Sequence, residues 1–184
     1  RWISEHILAE HVLALGNSMP VRDMDMFAAA SGKAVAVTAN RGASGIDGTI
    51  ASALGFARGL SRPLTMVVGD MALLHDLNSL ALISSMPGPA IIVVINNDGG
   101  GVFSFLPIAR RAELFEPLFG TPHGITFRGA ATMFGLAYAR PRDMKQFAKA
   151  YNDAVKAERS TLIEVRTDRE KNVDLHIKLR NDLA

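Results

Sequence analysis

Asp70 and Asn97 carry hard oxygen donors, and each stands just past the end of an apolar run. Thr65-Met66-Val67-Val68 leads into Gly69-Asp70, and Ala90-Ile91-Ile92-Val93-Val94-Ile95 leads into Asn96-Asn97. Leu73 to Met86, between them, reads as a helix. A strand–helix–strand crossover returns the chain to the same sheet edge, so a carboxylate and a side-chain amide converge beside Asp98-Gly99-Gly100-Gly101. Oxygen donors of this kind suit Mg²⁺ or Ca²⁺, and a cation that keeps open positions can bridge to a diphosphate. The glycines let bare backbone approach such a phosphate, and a following helix start adds N–H donors. The plain alternative is a capping aspartate and a glycine-rich turn in an ordinary α/β domain.

The elements that must position these groups alternate. His11–Leu15 reads as a strand ending at Gly16-Asn17-Ser18, followed by a short helix from Asp23 to Ala30. Ala34–Thr38 is a second strand, ending at Asn40-Arg41-Gly42, and a helix runs from Asp47 or Gly48 to about Leu60. Beyond Asn96 the chain is irregular from 99 to 128. A helix over Gly129–Phe134, a strand at Leu136–Ala139, a helix from Pro141 to about Glu158 and a strand at Thr161–Val165 follow. A charged helix from Asp168 to Leu183 closes the chain, with Leu175, Leu179 and Leu183 on one stripe. Continuous apolar strands between helices predict a three-layer, doubly wound α/β sandwich with a mostly parallel sheet of about six strands. Ligands of such sheets bind at the strand carboxyl ends near a switch in strand order. Gly16-Asn17-Ser18, Asn40-Arg41-Gly42, Gly69-Asp70 and Asn96-Asn97 all fall at such ends.

The 184 residues are enough for one sizeable domain and too few for two ordinary ones. The chain is 48% hydrophobic and 21% charged, a globular balance. It has no cysteine, hence no disulfide framework and no thiolate metal site. The net charge is +2 with scattered Lys and Arg, and no basic stripe with interleaved aromatics speaks for nucleic acid. No apolar stretch approaches the roughly 20 residues of a membrane span. No signal peptide is read, and a cytoplasmic (or, in a phototrophic eukaryote, plastid) location is expected. The start at Arg1-Trp2-Ile3 reads as a segment of something longer.

The Asp70-to-Asn97 arrangement resembles the diphosphate-binding motif of thiamine-diphosphate enzymes. Four segments narrow the likeness: Gly16 to Asp23, Asn40 to Gly48, Gly69-Asp70 with His75-Asp76-Leu77-Asn78, and Asn96 to Pro107. In this order they are similar to one thiamine-diphosphate family, the succinyl-enolpyruvyl-hydroxy-cyclohexene-carboxylate synthases of menaquinone and phylloquinone biosynthesis. The likeness is close over residues 10 to 110 and is one of layout beyond them. It implies that residues 1–184 form a single diphosphate-binding domain, with 168–184 as a helical tail, and that pyrimidine-binding and middle domains lie elsewhere. The implied reaction decarboxylates 2-oxoglutarate and adds the succinyl unit to isochorismate, with thiamine diphosphate and Mg²⁺ (or Mn²⁺) as cofactors. The implied partners are small acidic substrates and the pyrimidine-binding domain of the same or a neighbouring subunit in a homo-oligomer.

The resemblance also assigns residues. Asp70, Asn97 and the carbonyl of Gly99 become metal ligands, a hard donor set suited to Mg²⁺. Ser18, Gly69, Met71, Ala72, Gly101 and Val102 lie against the cofactor, and Ile46 is the apolar wedge under the thiazolium. Met71 stands where most thiamine-diphosphate enzymes have glycine, and the resembled family departs in the same way. Arg22 and Arg41 face the carboxylates of the acidic substrates, for which a guanidinium offers a bidentate fork. Phe103 and Leu106 line the substrate pocket, and an apolar wall excludes water. Each has a plainer structural reading: cap, turn residue, solvated surface or core. No glutamate stands in a context matching the cofactor-activating one, so the chain alone is expected to be inactive. His75 is given no role, and His6, His11, His123 and His176 show no metal-ligand spacing.

Three other readings stay open. One is the diphosphate domain of another thiamine-diphosphate enzyme, acetolactate-synthase-like or decarboxylase-like. Another is a non-catalytic assembly module of the same fold. The third is a flavodoxin-like FMN domain, which the absence of a clear phosphate loop after the first strand disfavours.

Overall fold

The computed structural model describes residues 1–30, 32–43 and 45–182. Six strands form one sheet: β1 (Val12–Leu15), β2 (Ala36–Ala39), β3 (Leu64–Gly69), β4 (Ala90–Asn96), β5 (Ala137–Ala139) and β6 (Thr161–Arg166). Their order is β2-β1-β3-β4-β6-β5, and every neighbouring pair is parallel, so the sheet is wholly rather than mostly parallel. The order reverses beside β1, whose neighbours are β2 and β3. Gly69 lies opposite Ile95 across β3 and β4, so Asp70 and Asn97 leave the sheet side by side.

Side chains alternate between two cores, as strands covered on both faces require. Val12, Leu64, Met66, Val68, Ile92 and Val94 pack on one face against α3 (Thr49–Gly59), the turns at Leu77–Ser85 and α6 (Arg128–Met133). Leu13, Val67, Ile91, Val93 and Ile163 pack on the other against α7 (Met144–Lys156), α1 (Trp2–His6) and α2 (Met19–Phe27). The three-layer sandwich is thereby complete. Helices α4 (Asp70–His75), α5 (Ala112–Phe115) and α8 (Arg169–Asp182) finish the chain.

Several element boundaries differ from the sequence reading. The first crossover helix spans Met19–Phe27 rather than Asp23–Ala30, because Pro20 fits a first turn where no N–H is needed. The helix expected over Leu73–Met86 is instead α4 followed by 3₁₀ turns at Leu77–Ser85. Asp76 causes the break. Its Oδ2 accepts from the N–H groups of Ile50 (2.6 Å) and Ala51 (3.1 Å) at the start of α3, and its Oδ1 accepts from Ser79 at 2.6 Å. One carboxylate thus caps a neighbouring helix and bends its own. In α8 the Leu175–Leu179 stripe is not the buried face: Leu175 is 52% exposed, whereas His176 is buried. His176 donates from Nε2 to Asp23 Oδ1 (2.8 Å) and lies edge-on to Phe27 and Phe105. Leu183 lies outside the described residues.

Candidate functional site

The site is built at the strand carboxyl ends around the switch between β1 and β3. β3 delivers Gly69 and Asp70, β4 delivers Asn97 and its glycine turn, β1 delivers Asn17 and Ser18, and β2 delivers Arg41. A cavity of about 550 Å³ opens among them. All fourteen residues singled out from the sequence line it: Ser18, Arg22, Arg41 and Ile46; Gly69, Asp70, Met71 and Ala72; Asn97, Gly99, Gly101, Val102, Phe103 and Leu106. Asn17, Met19, Pro20, Ile95, Gly100, Leu118, Phe119 and Thr121 line it as well.

Asp70 is 2% exposed at the start of α4. Its Oδ1 accepts from the N–H of Met71 (2.8 Å), and its Oδ2 accepts from the N–H of Gly99 (2.9 Å) and faces Nε2 of His123 at 3.1 Å. The side-chain oxygen of Asn97 is buried and has no hydrogen-bond partner among the described residues. A buried amide oxygen is rarely left unpaired, so an orphan beside a carboxylate asks for a ligand. Among the described residues no cluster of three His, Cys, Asp or Glu could hold a metal. The donors present are one carboxylate, one amide oxygen and the carbonyl of Gly99, which accepts from the N–H of Gly101 at 2.9 Å. That set fits a hard, oxygen-seeking cation such as Mg²⁺ and not a soft one.

The glycine turn is fixed by its neighbours. Gly99 has φ +128°, and a Cβ there would collide with the carbonyl oxygen of Gly120. A Cβ on Gly101 would collide with the Asn97 amide. Only glycine lets the turn lie between Asn97 and the Phe119-Gly120 backbone. Gly100 donates its N–H to the carbonyl of Gly120 at 2.8 Å, which holds that backbone in place.

Other side chains shape the cavity. Ser18 has φ +74° and precedes α2, and its carbonyl accepts from the guanidinium of Arg22 at 2.6 Å. Arg22 and Arg41 are exposed at the mouth. Ile46 is partly buried and packs on the core that contains α3. Phe103 is 38% exposed and meets Phe119 edge-on at 5.7 Å, and Leu106 is 49% exposed, so the apolar wall stands open to solvent. Asn17 is 3% exposed; its amide nitrogen donates to the carbonyl of Gly45 at 2.6 Å, and its oxygen is a second buried orphan.

Behind the site lies a polar cluster that the sequence did not announce. Glu164 on β6 is fully buried. Its Oε1 accepts from Asn96 (2.8 Å), and its Oε2 accepts from the N–H of Phe127 (2.9 Å) and the hydroxyl of Tyr138 (2.7 Å). Burial, reinforced by that carboxylate, pushes the Tyr138 phenol up to about 12. Asp98 accepts from the N–H groups of Gly124 (2.7 Å) and His123 (3.1 Å). The bond from Gly124, above all, holds the Asp98 carboxyl below the usual carboxylate range. The residue missed outright is His123, 53 positions from the carboxylate it meets, in a stretch without periodicity. His75 is exposed.

Fold and site together define a doubly wound α/β domain whose cavity opens at a strand-order switch, where ligands of such sheets bind, and is lined by a buried carboxylate and a glycine turn. Residues 23–165 match the family model for the thiamine pyrophosphate enzyme C-terminal TPP binding domain, and the chain belongs to that family. It is 55% identical over 184 residues to a 2-succinyl-5-enolpyruvyl-6-hydroxy-3-cyclohexene-1-carboxylate synthase of Rubrobacter xylanophilus, matching 100% of this chain and 32% of that protein. A protein of the same name from Prosthecochloris aestuarii is 50% identical with the same coverage. One from Salinibacter ruber is 49% identical over 177 residues, 96% of this chain and 29% of that protein. The chain therefore spans about a third of the length of these relatives. Among solved structures, benzoylformate decarboxylase from Polynucleobacter necessarius superposes with a TM-score of 0.61 at 17% identity, covering 86% of this chain and 30% of that one, a likeness of fold.

Proposed function

We propose that this domain holds the diphosphate of thiamine diphosphate, through Mg²⁺ (or Mn²⁺), in a synthase that decarboxylates 2-oxoglutarate and joins the succinyl unit to isochorismate in menaquinone biosynthesis. The observation that carries the reading is the buried, unpartnered oxygen of Asn97 in the same cavity as buried Asp70. Asp70, Asn97 and the carbonyl of Gly99 are the metal ligands. Ser18, Gly69, Met71, Ala72, Gly101 and Val102 flank the cofactor, and Ile46 supports its ring.

When bound, thiamine diphosphate supplies the electron sink that decarboxylation of a 2-oxo acid needs. The chain's own side chains bind and orient. Arg22 and Arg41 hold substrate carboxylates by charge-assisted hydrogen bonds. Phe103 and Leu106 form a wall that sheds water once covered. Their exposure fits a cover supplied by another part of the enzyme, the pyrimidine-binding domain of the same or a neighbouring subunit in a homo-oligomer.

The test is a substrate panel on the full-length protein with Mg²⁺ and thiamine diphosphate. Consumption of 2-oxoglutarate that depends on isochorismate supports the reading. Turnover of pyruvate or benzoylformate instead would assign the domain to another thiamine-diphosphate enzyme, and cofactor binding without turnover would make it an assembly module.

A further inference from the structure

Asp70 has a second support besides the glycine turn. The Nε2 of His123 lies 3.1 Å from Asp70 Oδ2, and the ring is only 10% exposed. Its Nδ1 accepts from the N–H of Ile125 at 2.9 Å, which puts the ring proton on Nε2 and makes His123 the donor to Asp70. Asp70 and Thr121 line the cavity and His123 does not, so the imidazole reaches Asp70 from outside the cavity lining.

The segment that carries His123 is pinned at several points. Asp98 accepts from its N–H and from that of Gly124. Asn96 donates to the carbonyl of Ile125 at 3.0 Å, and Glu164, buried on β6, holds both Asn96 and the N–H of Phe127. A hydrogen-bonded chain therefore runs from Glu164 through Asn96, Ile125 and His123 to Asp70.

We infer that His123 is a positioning residue for the metal-binding carboxylate: its Nε2–H fixes the orientation of Asp70 and leaves the remaining lone pairs for the cation. The inference rests on the assignment of Asp70 as a metal ligand. Outer partners that orient a ligand typically change metal affinity 10- to 100-fold when removed.

The experiment titrates Mg²⁺ into the full-length protein at saturating thiamine diphosphate, by calorimetry, for wild type and for the Asp70→Asn, His123→Leu and His123→Gln variants. His123→Leu is expected to raise the Mg²⁺ requirement by about 10- to 100-fold. His123→Gln, which keeps an N–H donor, is expected to recover most of that loss. A wild-type requirement in His123→Leu overturns the inference, and so does a lowered one, which would make the imidazole a competitor of the cation. A glutamine variant as impaired as leucine also overturns it, because ring packing rather than the donor would then be at work. If Asp70→Asn itself keeps the wild-type requirement, the metal-site reading has failed, a result distinct from failure of the His123 role alone. Should His123→Leu not fold, the imidazole ¹⁵N spectrum decides. A proton on Nε2 whose resonance shifts in Asp70→Asn is expected, and a proton on Nδ1 overturns the inference.

Discussion

The backbone N–H of Gly99 donates to Oδ2 of Asp70 at 2.9 Å, joining residues 29 positions apart. The glycine turn after β4 and the carboxylate after β3 are thus one unit. Because Gly99 sits at φ +128° against the carbonyl of Gly120, a side chain there must break that unit.

Gly99→Ala is accordingly expected to lower stability by about 3 kcal/mol or more, combining positive-φ strain with overlap on backbone that cannot yield. Urea unfolding measures it. A loss under about 0.5 kcal/mol, the range of an ordinary surface change, would show that the turn is not held as described.

Arg22→Ala and Arg41→Ala should each lower kcat/KM for the acidic substrate by roughly 10- to 100-fold, the worth of a charge-assisted hydrogen bond, with little change in thiamine diphosphate affinity. Lysine is a poor replacement, because a point charge cannot form the bidentate fork. Steady-state kinetics beside a cofactor titration separates the two effects. Equal losses in both would place the arginines on the cofactor instead.

Tyr138 donates to buried Glu164, and its phenol is raised to about 12. A raised folded value favours the protonated form, so this contribution is complete below pH 10 and is lost as pH climbs from about 10 to 12. Tyr138→Phe should flatten the alkaline limb of the stability profile in that window. Glu164→Gln should cost about 2–3 kcal/mol, because an amide cannot accept from all three donors. An alkaline limb unchanged in Tyr138→Phe would mean that the Tyr138–Glu164 bond does not set it.

His11 is buried against Thr65, with Nδ1 3.0 Å from its hydroxyl, and burial pushes the imidazole below its ordinary 6.5. The folded state therefore prefers the neutral ring. Its contribution is present above pH 6.5 and is lost as pH falls through the lower folded value. Melting temperature followed from pH 7 to 5 should fall less steeply in His11→Asn than in wild type. Equal slopes would mean that another group governs the acid limb.

The sequence disclosed the parts of this fold that repeat a local rule. Apolar runs such as Ala90–Ile95 located the strands, and Gly69-Asp70 and Asn96-Asn97 marked their carboxyl ends. Parallel crossovers then bring those ends together, which is why every residue singled out lines one cavity. What escaped depends on partners distant in sequence. Asp76 bends its own helix because it caps α3, and nothing near residue 76 says so. His123 reaches Asp70 only because Glu164 and Asn96 fold the 121–128 stretch back over the site, so spacing gave no hint of it. In α8 the leucine stripe lost to His176, whose partners Asp23, Phe27 and Phe105 come from other elements.

The proposed metal site depends most on the orphan oxygen of Asn97. That oxygen accepts no hydrogen bond among the described residues, so Asn97→Ala should cost little stability while removing a cation donor. The decisive measurement is calorimetric titration of thiamine diphosphate into the full-length protein, with and without Mg²⁺, for wild type and Asn97→Ala at matched melting temperatures. Mg²⁺-dependent binding is expected in wild type, and its loss in the variant. Equal binding by both proteins, or wild-type binding indifferent to Mg²⁺, would contradict the proposed site.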